Sequence, residues 1–141
     1  MSTSTQTYVA VIDDESRLCT ALSRLLRVEG FQPIAYLSAE AFLADAKRPQ
    51  FDCLVVDIRL GGMSGLDLLR QLAGRGPHAP VIVMTAFDDP DMRSQAAALG
   101  CAGFFRKSAP GSEIVDAIRR ATLPKDSTPR SRGTGDPSDK P

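Results

Sequence analysis

The chain has 141 residues, a length that suits one domain with a single sizeable core. Its 17 basic and 17 acidic side chains balance, so no net charge favours nucleic acid or an anionic membrane as a partner. No apolar run approaches the roughly 20 residues of a membrane span, and residues 1–8 lack the basic and apolar parts of a signal peptide, so we expect a cytoplasmic protein.

Short apolar runs rich in β-branched residues recur along the first 123 residues. They predict strands over residues 8–12, 31–37, 53–57, 81–84 and 103–105. Proline cannot donate a hydrogen bond to a sheet, so Pro33 predicts that the second strand lies at a sheet edge.

A segment with apolar residues at helical spacing follows each strand. These segments predict helices over residues 16–29, 39–47, from a cap at Ser64 to Gly74, 90–99 and 112–123. Parallel strands need helical crossovers, so the alternation predicts an α/β fold. We expect a three-layer α/β/α sandwich around a five-stranded parallel sheet.

The composition changes near residue 123. Residues 124–141, PKDSTPRSRGTGDPSDKP, contain no apolar residue larger than proline, so they bury too little surface to offset the cost of ordering. We expect a disordered tail or linker there, a disordered start over residues 1–7, and one domain over residues 8–123. A linker to a missing effector stays open, although the segment favours the end of a stand-alone domain.

The sequence also predicts where the cysteines and the single histidine lie. Cys19, Cys53 and Cys101 are odd in number and lie in apolar or helical contexts, which favours buried free thiols in a reducing cytosol. His78 lies between two prolines in a predicted loop, so we expect it at the surface.

Polar side chains follow four of the five predicted strands. They are Asp13, Asp14 and Glu15 after the first strand, Asp57 at the end of the third, Thr85 after the fourth and Lys107 after the fifth. Because the carboxyl ends of parallel strands meet at one edge of a sheet, we expect these side chains to lie together. Carboxylates gathered in one cleft repel unless a divalent cation joins them, and Mg²⁺ takes such oxygen ligands together with a phosphate.

Most of these residues also have a purely structural interpretation. The acidic run after the first strand suits a helix N-terminus, Thr85 is an ordinary residue for a strand end, and Lys107 alone suggests a solvated side chain. Asp57 is harder to explain in this way, because it ends an apolar run and no predicted helix begins before Ser64. A carboxylate beside a metal can attack phosphorus and become an acyl phosphate, with an ammonium and a hydroxyl binding the phosphoryl oxygens.

The sequence resembles the receiver domain of two-component response regulators, and within that family the FixJ type. Four motifs carry the resemblance: VIDDE at 11–15, DCLVVDIRLGGMSGLDLL at 52–69, VIVMTAFDD at 81–89 and GCAGFFRK at 100–107. It extends from residue 8 to about residue 123 and implies a flavodoxin-like, CheY-like sheet with strand order 2-1-3-4-5.

The resemblance implies a phosphoacceptor and a metal site. Asp57 would take a phosphoryl group from a histidine kinase or a histidine phosphotransfer protein. Asp14 and Asp57 would bind Mg²⁺ directly, Asp13 largely through water, and the backbone carbonyl of Arg59 would complete the protein ligands.

The resemblance also implies a conformational switch. Lys107 would pair with the phosphate, Thr85 would be the switch hydroxyl, and Phe104 would be the switch aromatic, with Phe105 as the competing candidate. The altered surface would be helix 4, strand 5 and helix 5, through which a homodimer would form on phosphorylation.

The sequence departs from the family at two positions, because Gly61 and Ser108 stand where the family usually has proline. We expect Gly61 and Gly62 to loosen the loop after Asp57. A cis bond before a residue other than proline costs about 3 kcal/mol, so we expect the bond from Lys107 to Ser108 to be trans, or cis under strain, and the following loop to be repositioned.

Three functions are weighed. The first is a receiver that catalyses its own phosphorylation and dephosphorylation but turns over no external substrate. The second, a phosphatase of the haloacid dehalogenase type, needs a further aspartate where this chain has Arg59. The third is a degenerate receiver that binds proteins independently of phosphorylation. After Leu123 there is no helix-turn-helix pattern, so we expect no nucleic-acid binding by this chain.

Overall fold

A computed structural model describes residues 6–87 and 89–123 of the chain. The strands are β1 (Tyr8–Ile12), β2 (Gln32–Tyr36), β3 (Cys53–Asp57), β4 (Val81–Thr85) and β5 (Gly103–Arg106). The helices are α1 (Ser16–Val28), α2 (Ala39–Ala44), α3 (Gly65–Gly74), α4 (Pro90–Ala98) and α5 (Gly111–Thr122). The predicted alternation of strands and helices is confirmed. The predictions for residues 1–5 and 124–141 lie outside the described residues.

The five strands form one parallel sheet in the order β2-β1-β3-β4-β5. The predicted fold class and strand order are therefore confirmed. β2 lies at an edge, as Pro33 predicted, and Pro33 is in register with Val9 of β1. β3 and β4 lie inside the sheet, and all their residues are buried, as in a parallel sheet covered on both faces.

Alternate residues of each strand pack on opposite faces of the sheet, because side chains alternate along a strand. Val9 and Val11 of β1 belong to a core cluster with residues of α1 and α5. Ala10 and Ile12 belong to a second cluster with residues of α2, α3 and α4. The helices thus cover both faces, which confirms the three-layer sandwich.

Helix α2 is shorter than predicted, ending at Ala44 instead of residue 47. Arg48 explains the difference, since its Nη1 donates to the carbonyls of Phe42 at 3.0 Å and Leu43 at 3.2 Å and so satisfies carbonyls at the end of the helix. The Tyr36 hydroxyl donates to Asp45 Oδ2 at 2.6 Å and fixes the residue that follows the helix. The other element ends differ from prediction by at most one residue.

The loop after β3 returns closely onto the strand it leaves. Gly65 begins α3, and its N–H donates to the Ile58 carbonyl at 3.1 Å. A Cβ atom at Gly65 would collide with the backbone carbonyl of Asp57 and would lie 2.8 Å from Ile58 Cα. The predicted Ser64 cap is confirmed and forms a reciprocal capping box with Asp67. Glycine at residue 65 therefore lets α3 start directly against the backbone of Asp57.

A carboxylate of α2 ties down the two-glycine part of this loop. Gly62 has a φ of 72°, which favours glycine. The next residue, Met63, donates its N–H to Glu40 Oε2 at 2.8 Å, and this bond lowers the pKa of Glu40. The predicted looseness of this loop stays a prediction, but one contact that opposes it is present.

The cysteines are all free, and Cys19 and Cys53 are buried as predicted. Burial raises the pKa of Cys19 to about 11 and that of Cys53 to about 12, so neither is a thiolate near neutral pH. Cys101 is only partly buried, while His78 is exposed as predicted. In the part of the chain that the structure describes, the helices are too short or too polar to cross a membrane.

Gly61, in the loop after β3, and Gly65, the first residue of α3, give opposite predictions for stability. Gly65→Ala should lower the free energy of unfolding by about 2 kcal/mol, because the added methyl group meets rigid backbone. Gly61→Ala should raise it by about 0.5 kcal/mol, because the space there is open, φ is not left-handed, and the unfolded chain loses freedom. Urea unfolding of both variants tests this, and equal effects would contradict the role given to Gly65.

Candidate functional site

Three aspartates meet at the carboxyl edge of the sheet. Asp13 directly follows β1 and Asp57 ends the neighbouring strand β3, so the sheet itself brings them together. With Asp14 they each offer one carboxylate oxygen within 4.8 Å of the others. Asp13 and Asp57 are buried, whereas Asp14 is exposed. The predicted convergence of these carboxylates is therefore present.

The Lys107 ammonium lies among the carboxylates. Its Nζ is 2.8 Å from Asp57 Oδ2, 3.1 Å from Asp13 Oδ2 and 2.7 Å from Glu15 Oε1. The backbone N–H of Lys107 donates to the Thr85 carbonyl at 2.7 Å, which fixes the root of the side chain. Burial alone would lower the pKa of Lys107, but its hydrogen bonds to Asp57, Glu15 and Asp13 raise it overall. The ammonium is therefore fully charged at neutral pH.

The buried aspartates are held by backbone donors as well as by Lys107. Asp13 Oδ1 accepts the Glu15 N–H at 2.8 Å, and Asp57 Oδ1 accepts the Arg59 N–H at 3.0 Å. Asp13 Oδ2 is buried at ion-pair distance from Lys107, but no donor among the described residues meets it in hydrogen-bond geometry. Burial raises the pKa of Asp13, while the ammonium lowers the pKa of the exposed Glu15.

These oxygen atoms fit a hard divalent cation as ligands. All the candidate side-chain ligands are carboxylate oxygens. One buried oxygen of Asp13 also lacks a hydrogen-bond donor among the described residues. Hard cations such as Mg²⁺ and Ca²⁺ prefer oxygen ligands, and a cation would also reduce the repulsion between the carboxylates.

Thr85 is at the same edge, but its hydroxyl is bonded within its own loop. Thr85 is fully buried, and its Oγ1 donates to the Phe87 carbonyl at 2.6 Å and accepts the Phe87 N–H at 3.2 Å. The Phe87 side chain is 68% exposed. The position of the hydroxyl is thus coupled to the backbone of the loop between β4 and α4.

The two phenylalanines of β5 pack on opposite faces of the sheet. Phe105 packs against the core cluster that includes α1 and α5, so it is the aromatic that belongs to that core. Phe104 packs against the other cluster, and the guanidinium carbon of Arg93 in α4 lies 4.5 Å from its ring centroid. Of the two rings, Phe104 is the one directed to the α4 side.

The peptide bond between Lys107 and Ser108 is trans, because no cis bond occurs among the described residues. The predicted trans bond is confirmed, and the predicted repositioning of the following loop stays a prediction. A turn follows, in which Ala109 donates its N–H to the Arg106 carbonyl at 2.9 Å.

Sequence reasoning missed the ion pair between Glu15 and Lys107. The sequence places Glu15 in the acidic run after β1, whereas its partner Lys107 lies in the loop after β5. Two strands separate β5 from β1 in the sheet. No spacing in the sequence encodes how far a lysine side chain reaches across a sheet edge. The Glu40 bond to Met63 and the stacking of Arg93 on Phe104 were also missed, because each joins residues from different parts of the sequence through one extended side chain.

Comparisons with known proteins agree with this geometry. Residues 9–119 match the family model described as the response regulator receiver domain. The transcriptional regulatory protein FixJ of Azorhizobium caulinodans is 39% identical over 111 residues, which are 79% of this chain and 53% of the relative. The chain spans about half the length of the curated relatives it matches.

Two solved structures extend the comparison. A crystal structure of FixJ-N has a TM-score of 0.76 and 35% identity, and the match covers 84% of this chain and 95% of that one. A response regulator from Burkholderia pseudomallei, solved with a phosphorylated aspartic acid, a calcium ion and citrate, has a TM-score of 0.72 and 27% identity. That match covers 80% of this chain and 66% of that one.

The ion pairs of Lys107 predict a measurable loss of stability in Lys107→Met. This variant should lose about 2 kcal/mol of unfolding free energy in the absence of divalent cations, because two buried carboxylates lose their counter-charge. Lys47→Met is the matched control, since Lys47 is exposed and makes no ion pair in the described part of the chain. Chemical denaturation in EDTA measures both, and equal stability of the two variants would contradict the prediction.

Proposed function

The chain belongs to the response regulator receiver domain family, and from that premise we propose that it is a phosphoacceptor of a two-component phosphorelay, with Asp57 as the modified residue. The observation that carries the proposal is the setting of Asp57. Its carboxylate is buried at the carboxyl edge of the sheet, beside two other aspartates and 2.8 Å from the Lys107 ammonium. A carboxylate in such a place can act as a nucleophile toward phosphorus.

In the proposed reaction an oxygen of Asp57 attacks the phosphorus of a phosphohistidine on a histidine kinase or a histidine phosphotransfer protein. The oxygen–phosphorus bond forms, the phosphorus–nitrogen bond breaks, and the departing imidazole nitrogen keeps the electron pair. Lys107 compensates the charge of the phosphoryl oxygens from its position beside Asp57. Arg59 holds the other Asp57 oxygen through its backbone N–H and so orients the carboxylate.

We assign the cofactor as Mg²⁺, held by Asp13, Asp14, Asp57 and the backbone carbonyl of Arg59. The convergence of the three carboxylates and the unsatisfied Asp13 oxygen support this assignment. The Burkholderia neighbour, whose structure has a phosphorylated aspartic acid and a calcium ion, supports the same pairing of chemistry and cation. When bound, the cation supplies positive charge beside the phosphoryl oxygens.

The proposed switch begins at Thr85. A phosphoryl group adds roughly two negative charges and strong acceptor oxygens, which attract the hydroxyl. To reach them, Thr85 must give up its two bonds to Phe87, and the loop between β4 and α4 moves with it. Phe104, on the α4 side of β5, then turns inward, and the face formed by α4, β5 and α5 changes.

We propose that this face carries the output by protein contact, including a homodimer formed on phosphorylation. In this proposal the chain works in the cytoplasm, modifies only itself and needs no contact of its own with nucleic acid or membrane. The balanced charge of the chain is consistent with this mode of output.

Acetyl phosphate with Mg²⁺ should add one phosphoryl group to the wild-type chain and none to Asp57→Asn, since the amide is not a nucleophile. Asp116→Asn, which changes an exposed aspartate of α5, is the matched control and should be modified like the wild type. EDTA should abolish the modification in the wild type and in Asp116→Asn. Intact-mass spectrometry measures the product.

Two results would count against the proposal. Modification that persists in Asp57→Asn would place the phosphoacceptor elsewhere. No modification of the wild type would favour the alternative function, a degenerate receiver that binds its partner independently of phosphorylation.

A further inference from the structure

Three carboxylates surround the Lys107 ammonium. Nζ donates to Glu15 Oε1 at 2.7 Å and to Asp13 Oδ1 at 3.2 Å, and it forms an ion pair with Asp57 Oδ2 at 2.8 Å. When Asp57 is phosphorylated, the negative charge of its carboxylate passes to the phosphoryl group, and further charge is added. The phosphoryl oxygens must then share the ammonium with Asp13 and Glu15.

These two remaining partners differ in the free-energy cost of releasing the ammonium. The Asp13 side chain is 0% exposed, so its release would leave a buried oxygen without its donor. The Glu15 side chain is 63% exposed, and water can replace the ammonium there. Glu15 is thus the partner that gives way most easily.

In the described part of the chain, the Glu15 side chain has neither a helix-capping role nor a place among the candidate metal ligands. Although it occupies the N-cap position of α1, its side chain makes no capping hydrogen bond. Its carboxylate does not belong to the three-aspartate cluster that fits a cation. Its backbone N–H donates to Asp13 Oδ1, which fixes its main chain but leaves the side chain able to turn outward.

We propose that Glu15 is a positioning residue that competes with the phosphoryl group for the Lys107 ammonium and so slows phosphorylation of Asp57. The inference rests on the proposed function and adds a residue that lowers the phosphorylation rate at the same site. In the unmodified chain Glu15 holds the ammonium on its outer side, and in the phosphorylated chain it is released to solvent.

The size of the effect follows from the exposure of the pair. Ion pairs with an exposed member shift an equilibrium by up to about fivefold at low salt, and salt screens them. Removing the charge of Glu15 should therefore favour phosphoryl binding by roughly two- to fivefold. The same change removes a negative charge near the carboxylates, so the affinity for Mg²⁺ should fall or stay unchanged.

The test compares Glu15→Gln with Glu29→Gln. Glu29, which follows the other end of α1, forms a 2.8 Å ion pair with Arg119, so the control makes the same chemical change beyond the far end of the helix. At saturating Mg²⁺ and low ionic strength, Glu15→Gln should react with acetyl phosphate about two to five times faster than the wild type. It should also bind beryllofluoride more tightly, while Glu29→Gln should match the wild type in both measurements.

Salt dependence and cation affinity separate this role from a general structural effect. The advantage of Glu15→Gln should vanish near about 1 M salt, where the Debye length is about 3 Å. Titration with Mg²⁺ alone should show no gain in cation affinity. A rate for Glu15→Gln that is equal to or below that of the wild type overturns the inference, as does an advantage that persists at high salt. Absence of Asp57 modification in the wild type instead overturns the proposed function, and this inference with it.

Discussion

The repulsion between buried carboxylates at the ends of neighbouring parallel strands is the constraint on which the site depends. Asp13 and Asp57 are both buried, and their positions are set by the pairing of β1 with β3. Burial and the Asp57 charge raise the pKa of Asp13, so the pair requires positive charge nearby to stay ionised. In this chain the Lys107 ammonium supplies that charge, and its own pKa is raised in return by hydrogen bonds to its carboxylate partners. The carboxylate partners therefore hold the ammonium in its charged form.

The fold delivers this arrangement with little freedom. A parallel sheet places the carboxyl ends of its strands at one edge, and helices on both faces bury those ends. Gly65 adds a local requirement, because α3 can begin against the backbone of Asp57 only where no Cβ intervenes. The Glu40 carboxylate then ties the glycine-rich loop to α2. The same elements that form the core therefore fix the position of Asp57.

The sequence predicted the parts of the structure that depend on local pattern and on sheet topology. Pro33 indicated an edge strand, Ser64 a helix cap, and the polar residues at strand ends a shared site, and each of these features is present. Prediction from the sequence failed where one long side chain bonds to a residue in another part of the fold. Arg48 ends α2 early by bonding its carbonyls, and no helical periodicity contains that information. The pairing of Glu15 with Lys107 likewise depends on the reach of a lysine past two intervening strands.

The Lys107 ammonium links the stability of the domain to its chemistry. In the unmodified fold Lys107 is paired with carboxylates. To bind a phosphoryl group fully it must exchange carboxylate partners for phosphoryl oxygens, so the net gain in binding free energy is smaller than for a free ammonium. The cost of that exchange depends on the most weakly held partner, and exposure identifies it as Glu15. A charge outside the reacting set can therefore adjust the rate of modification without altering the nucleophile, the metal ligands or the core.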